Sequence, residues 1–323
     1  MRSKIVLINS VRKMAKRKYT DIEKIKAIYE SVKKNGYKKT SEIFDEHISL
    51  LERIVMRYQN NIVDNKMKVI IIAAGMGSRL KEMTKYLPKP LVEIEENKSL
   101  IEREIETLHK VGLNDIAIVR GYQKDKFTIK NVEYYDNDVY TENNILESLF
   151  FAEDAMEDGF ICTYADSIFS QEIFQKILDA PYDMCIGVEP DWRKRYAKRD
   201  EHPTDEAELV KLEDGKITSI SKFCNPDTYD GEFIGVAKFT KKGAEILRRN
   251  YHRARESKTC RFEDHQRFHD AVSIRKAYLT DMFQELIDRG YPIHAVKVNH
   301  GWVEIDTQQD FDYAKKLIEN GEL

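Results

Sequence analysis

The sequence predicts an α/β protein in two parts: a mixed, mostly parallel sheet flanked by helices over residues 67–323, preceded by a small all-α domain over residues 1–66. Three observations carry this reading. Residues 68–319 alternate apolar strand-like runs with amphipathic helical stretches, the pattern of a sheet built from βα units. Residues 1–66 hold 16 Lys and Arg against 8 Asp and Glu, whereas the rest of the chain holds 37 against 48, so a basic head precedes an acidic body. Finally, 323 residues with 41% hydrophobic and 10% aromatic side chains suffice for one large core and a small one, and exclude collagen-like, low-complexity and coiled-coil chains.

After the basic lead Arg12, Lys13, Lys16, Arg17, Lys18, the run Thr20-Asp21-Ile22-Glu23 forms a capping box that opens a helix. Ile22, Ile25, Ile28, Tyr29 and Val32 give it an apolar stripe, and Asn35-Gly36 can end it in the left-handed conformation. A short segment around Ser41–Asp45 follows. Ser49-Leu50-Leu51-Glu52 is a second capping box, opening a helix with Leu51, Ile54, Val55 and Tyr58. Three short helices resemble the helix-turn-helix modules of transposase-like and homeodomain-like proteins, with Arg53, Arg57 and Gln59 as reading residues. That resemblance implies a nucleic-acid partner; a basic three-helix head equally suits docking of a protein or assembly into an oligomer.

In the body, strands are expected at Val69–Ala73, Ile116–Val119, Phe160–Tyr164, Met184–Val188, Phe233–Phe239, Ile293–Val298 and Trp302–Ile305. Helices are expected at Ser99–Val111, Asn144–Met156, Gln171–Leu178, Lys241–Asn250, Tyr278–Arg289 and Gln308–Glu319. Cys162, Cys185, Cys224 and Cys260 offer no CxxC spacing and too few residues for a disulfide framework, which points to a reducing, cytoplasmic location. No run approaches the roughly 20 apolar residues of a membrane span.

The first strand runs into Ala73-Ala74-Gly75-Met76-Gly77-Ser78-Arg79, and Leu87-Pro88-Lys89-Pro90-Leu91 follows. Glycines at such a turn let backbone amides approach phosphate oxygens. The turn is not a dinucleotide fingerprint, since Leu80 stands where a third glycine would be, and it lacks the Gly-Lys-Ser/Thr ending of a P-loop. Its distinctive feature is a pair of cations, Arg79 beside the glycines and Lys89 between two prolines, which suits attack on an α-phosphate.

Carboxylates suit Mg²⁺, a hard cation that shares its coordination with phosphates. Asp166 ends the apolar run Phe160–Ala165, and Trp302, Glu304 and Asp306 alternate along one strand face. Asp306 could alternatively cap the helix that follows, a role Thr307 could also fill.

These motifs together resemble the signature of the nucleotidyltransferases that couple an NTP to a phosphorylated small molecule and release pyrophosphate. The resemblance covers the whole body and implies a Rossmann-like fold of the nucleotide-diphospho-sugar transferase kind. It implies catalytic roles for Arg79 and Lys89, nucleotide binding by Ala73, Ala74, Gly75, Gly77, Gly121, Tyr122, Asn144 and Ser148, and Mg²⁺ on Asp166 and Asp306. The segment from Val188-Glu189-Pro190-Asp191-Trp192 through Arg199, His202-Pro203 and Glu206-Ala207-Glu208, the run Thr141–Leu149 and the Trp302-to-Thr307 ending look like the cytidylyltransferases acting on phosphocholine or 2-aminoethylphosphonate. CTP is then the nucleotide and a small phosphate or phosphonate the acceptor.

An aminoalkyl head group is a cation that aromatic faces and carboxylates can hold. Glu189, Asp191, Trp192, Tyr196, Glu232 and Asp281 are the candidates, with Arg199, His202 and Lys222 for the acceptor's phosphate or phosphonate. Phosphocholine, 2-aminoethylphosphonate and a phosphorylated amide all fit such a pocket. Two other readings stand beside this one: a sugar-1-phosphate nucleotidyltransferase, and a DNA-binding regulator whose body senses a nucleotide.

Overall fold

The computed structural model describes residues 22–44, 67–197, 199–201, 207–259 and 267–323. By spatial contact the chain divides into two compact units, residues 1–65 with 109–112, and residues 66–108 with 113–323. In the first unit, helix α1 (Ile22–Phe44) is broken at Gly36, whose φ of 74° and ψ of 166° end one helical segment and begin another. The Asn35-Gly36 pair therefore interrupts the helix as the sequence suggests, and the Ser31 and Thr40 hydroxyls bond across the break at 3.1 Å. Thr20 and Asp21 of the first capping box, the Ser49–Tyr58 helix and its reading residues lie outside the described residues.

The second unit is a nine-stranded mixed sheet. Its first half is the parallel run β5 (Glu133–Asp136), β4 (Ile116–Arg120), β1 (Lys68–Ala73) and β6 (Gly159–Tyr164). The long strand β11 (Gly231–Thr240) then runs antiparallel to both β6 and β8 (Met184–Glu189). Beyond β8 lie the parallel strand β12 (His294–Lys297) and an antiparallel pair, β10 (Lys216–Ser221) and β9 (Leu209–Glu213). β1 is buried over Val69–Ala73, which is why it reads as an unbroken apolar run rather than an alternating one.

Two small antiparallel ladders stand apart from this sheet, β2 (Glu93–Glu95) with β3 (Lys98–Ser99), and β7 (Ser167–Phe169) with β13 (Trp302–Glu304). The helices are α2 (Leu100–Lys110), α3 (Ile145–Phe150), α4 (Gln171–Asp179), α5 (Trp192–Tyr196), α6 (Lys241–Thr259), α7 (Leu279–Asp288) and α8 (Gln308–Glu319). One core joins the central strands to α3, α6 and α7 through Ile70, Phe160, Leu146, Leu247, Tyr251 and Phe283. A second, smaller core of Leu80, Val92, Ile168, Val303, Ile305 and Phe311 anchors the segment that carries Lys89 to the segment that carries Asp306.

The expected elements are present with shifted ends, and three differences stand out. The Asn144–Met156 helix is two pieces, α3 and a 3₁₀ turn at Glu153–Met156. The Lys241–Asn250 helix continues to Thr259. Strands β5, β9 and β10 escape the apolar-run criterion because they are half-exposed and carry charges; the left-handed Asp214-Gly215 pair (φ 50° and 76°) is the hairpin signal that betrays the last two. No helix among the described residues is long and apolar enough to cross a membrane.

Candidate active site

A cavity of about 350 Å³ opens at the carboxyl ends of β1 and β6. Ile72, Ala73, Gly75, Gly77, Arg79 and Lys89 line it from the first strand and its turn. Gly77 sits at φ 60° and ψ 36°, and a Cβ there would fall 2.5 Å from the Lys89 Cβ. Glycine at 77 thus serves both the left-handed turn and the close passage of the Lys89 side chain. The turn is held by the Thr84 hydroxyl, which donates to the Gly77 carbonyl at 2.8 Å. Nothing lies within 4 Å of a Cβ built on Gly75, so packing does not account for that glycine.

Lys89 is the centre of the site. Its side chain is only 6% exposed, and its Nζ donates to Asp306 Oδ1 at 2.5 Å and to Asp166 Oδ2 at 3.2 Å. Arg79 meets the other Asp306 oxygen at 2.9 Å. Burial works to lower the Lys89 ammonium, but Asp166 and Asp306 outweigh it and hold the group above its ordinary value. Asp306 does not cap α8. Thr307 does, its hydroxyl accepting from the Asp310 amide while Asp310 reaches back to Thr307, and Asp306 is left to face the cavity.

The remaining lining comes largely from the second half of the chain: Glu208, Lys222, Glu232, Tyr278, Trp302 and Glu304, with Tyr164 from β6. Gly235, at φ 79° in a bulge of β11, gives the Tyr164 ring its room, since a Cβ there would stand 2.9 Å from it. The Lys222 ammonium lies 4.7 Å from the centre of the Tyr278 ring. Burial pushes the Glu208 carboxyl up to about 7, against the opposing charge of Lys222. Burial also drives Glu304 well above the carboxylate range, with Asp306 and Asp166 adding to the effect.

The structure sorts the residues singled out in the sequence. Ala73, Gly75, Gly77, Arg79, Lys89, Asn144, Asp166, Lys222, Glu232 and Asp306 line one cavity. Asn144 also caps α3, accepting from the Ile145 amide at 2.9 Å. Ala74, Gly121, Tyr122 and Ser148 stand off the cavity wall. The Tyr122 amide bonds the Ala74 carbonyl, a Cβ on Gly121 would strike that same oxygen, and Ser148 accepts from Asn137.

Six acceptor candidates also fall off the wall. Trp192 and Tyr196 pack into a small core with Ala207 and Leu209, because they lie four residues apart on one face of α5. Asp191 turns outward to pair with Lys194, and Glu189 is buried against Arg195. Arg199 is committed to Asp310 at 2.6 Å, and Asp281 caps α7 by accepting from the amides of Tyr278, Asp270 and Ala271. His202 lies outside the described residues.

The sequence reading missed Tyr164 and Tyr278, and did not assign Glu208, Trp302 or Glu304 to the site. Tyr164 and Glu304 each precede a cavity carboxylate by two positions, a signal that period-two alternation makes legible. Glu208 stands in the cytidylyltransferase-like segment, whereas no local signal marks Tyr278.

Comparison with known proteins shows the family and the fold. Residues 69–217 match the family model of the MobA-like NTP transferase domain. The CTP:phosphoglutamine cytidylyltransferase of Campylobacter jejuni is 32% identical over 260 residues, covering 76% of this chain and 98% of that protein. The 2-aminoethylphosphonate cytidylyltransferase of Lancefieldella rimae is 33% identical over 204 residues, 58% of this chain and 73% of that protein. The structure of CTP:phosphocholine cytidylyltransferase from Streptococcus pneumoniae superposes with a TM-score of 0.56 at 24% identity, over 79% of this chain and all of that one, and shares the nucleotide-diphospho-sugar transferase fold.

Proposed function

Since the chain belongs to the cytidylyltransferases built on the MobA-like NTP transferase domain and acts on phosphorylated substrates, we propose that it joins CTP to a small nitrogen-bearing acceptor through the acceptor's phosphate or phosphonate oxygen. The carrying observation is the Lys89 ammonium held between Asp166 and Asp306 on the wall of the cavity. An acceptor phosphate is an anion at neutral pH, so no general base is required. Its oxygen attacks the α-phosphorus of CTP in line. One O–P bond forms as the bond to the bridging oxygen breaks, and that electron pair leaves with pyrophosphate.

Charge grows on the phosphoryl oxygens during this step. Arg79 and Lys89 meet it already oriented by the Asp306 and Asp166 carboxylates, so little reorganisation is needed at the moment of reaction. The open space over Gly75 leaves its backbone free for the close approach of a triphosphate.

Asp166 and Asp306 fit a divalent cation such as Mg²⁺. Both offer hard oxygen donors, and the buried Asp166 Oδ1 has no hydrogen-bond partner among the described residues. Among the described residues no group of three His, Cys, Asp or Glu could hold a metal ion by itself, so an ion on these two carboxylates would need substrate phosphate oxygens as further ligands. When bound, such an ion supplies positive charge to the triphosphate.

Two relatives are named for phosphoglutamine and 2-aminoethylphosphonate, both nitrogen-bearing. Glu208, Glu232 and Glu304 with Trp302, Tyr164 and Tyr278 supply acceptors and aromatic faces for such a group, and Lys222 suits the phosphate or phosphonate. The test is pyrophosphate release from each of the four NTPs with Mg²⁺ against phosphocholine, 2-aminoethylphosphonate, phosphoglutamine and hexose 1-phosphates. Turnover of CTP with a nitrogen-bearing acceptor, lost on chelation with EDTA, is the expected result. Turnover on hexose 1-phosphates alone would overturn it in favour of a sugar nucleotidyltransferase.

A further inference from the structure

Behind the acceptor wall lies a buried guanidinium that touches two of its members. Arg195, on α5, has a side chain only 11% exposed. Its Nε donates to Glu189 Oε2 at 3.0 Å, its Nη2 donates to Glu232 Oε2, and its guanidinium carbon lies 4.0 Å from the centre of the Trp302 ring. The other Glu232 oxygen accepts from the Tyr196 hydroxyl at 2.8 Å. Glu232 and Trp302 both line the cavity, yet they come from different ladders, β11 in the large sheet and β13 in the small one. Arg195 ties the two together.

Only arginine can do both jobs at once. Its planar fork can bond carboxylates along its edge while its face stacks on an indole, whereas a lysine offers a point charge without the plane. The carboxylate it holds needs that partner: burial raises Glu232, and the charge of Arg195 opposes the rise. Glu189, Trp192 and Tyr196 then have a shared purpose one layer back from the cavity. Glu189 fixes the guanidinium, Tyr196 fixes the second Glu232 oxygen, and Trp192 packs edge-on against the Tyr196 ring, with centroids 5.5 Å apart.

We infer that Arg195 is a positioning residue for the acceptor, holding the Glu232 carboxylate and the Trp302 ring as one preformed wall and thereby setting acceptor affinity without acting on CTP. This rests on the cytidylyltransferase reading for its kinetic assay but not for its binding assay.

The full chain is prepared as Arg195→Met, Arg195→Lys and Tyr196→Phe, with thermal melting to establish that each is folded. Acceptor binding is read by quenching of indole fluorescence, Trp302 being one of two tryptophans, with phosphocholine, 2-aminoethylphosphonate and phosphoglutamine as probes. Arg195→Met should weaken binding of whichever probe the parent protein takes by about tenfold or more, raise the acceptor KM to match and leave the CTP KM within about twofold. Arg195→Lys should restore part of the loss, because it returns the charge but not the stack. Tyr196→Phe, which deletes one hydroxyl, should give a smaller loss in the same direction and stands in if Arg195→Met does not fold.

An unchanged acceptor affinity in the folded variants would overturn the inference, as would equal increases in both KM values. Failure of the parent protein to release pyrophosphate with every acceptor would instead overturn the functional reading, leaving the binding measurements to decide the role of Arg195.

Discussion

Replacing Glu104 by glutamine should make the protein's stability less sensitive to pH. Glu104 sits in the middle of α2 with 1% of its surface exposed. Burial pushes its carboxyl up to about 8, the Thr163 hydroxyl opposes that rise and the Asp166 charge adds to it. The folded state therefore holds a proton that the unfolded chain releases near 4.5. A group whose acid form is favoured by folding contributes stability that is present below the unfolded value and is lost as pH rises towards the folded one.

Between about 4.5 and 8 the loss runs at about 1.4 kcal/mol per pH unit, or about 3 kcal/mol by pH 7. Glutamine is nearly the same shape and has no proton to release, so the loss should vanish in the variant. Denaturant melts at pH 5, 6 and 7 should show the variant gaining on the parent protein by about 1.4 kcal/mol per unit. Parallel pH profiles for the two proteins would mean that Glu104 is ionised when folded, and would refute the reasoning.

Two further outcomes follow from the Lys89 geometry. Lys89→Met should cut pyrophosphate release by about a hundredfold or more while CTP binding, measured by calorimetry, survives in part, because the lost charge matters most to the transition state. Gly77→Ala places a methyl 2.5 Å from the Lys89 Cβ at a φ of 60°, so it should lower stability by about 1 kcal/mol or more and reduce kcat at least tenfold, read by thermal melting and initial rates.

The divide between what the chain's pattern reveals and what it hides follows from how local each feature is. Asp166 was legible because it ends an apolar run, whose last side chain emerges at the sheet's carboxyl edge, and Asp306 because it alternates with Trp302 and Glu304 along one strand face. Lys89 was legible because two prolines fix the backbone around it. The contact that makes Gly77 obligatory is with a side chain twelve positions on, and nothing in the motif itself discloses it.

Six of the nine acceptor candidates were drawn from one charged and aromatic stretch, Glu189 to His202, as though it were a surface facing one way. Its middle is instead a single helical turn, α5, and successive residues on a turn diverge by about 100°. Trp192 and Tyr196 therefore point to a core, Asp191 and Lys194 to solvent, and Arg195 back to Glu189 and Glu232.

The same divide explains why phosphate chemistry and acceptor choice have different standing in this chain. The cations and carboxylates proposed to handle the triphosphate are few and sit at strand ends or in a rigid turn, where a short motif fixes their geometry. The proposed acceptor wall is assembled from Tyr164, Glu208, Lys222, Glu232, Tyr278 and Trp302, which reach the cavity from separate elements and owe their relative placement to packing. A substitution such as Arg195→Met can therefore disturb acceptor recognition while leaving every residue of the phosphate motifs in place. On the proposed function, acceptor selectivity would belong to this second layer, where one buried guanidinium touches both Glu232 and Trp302.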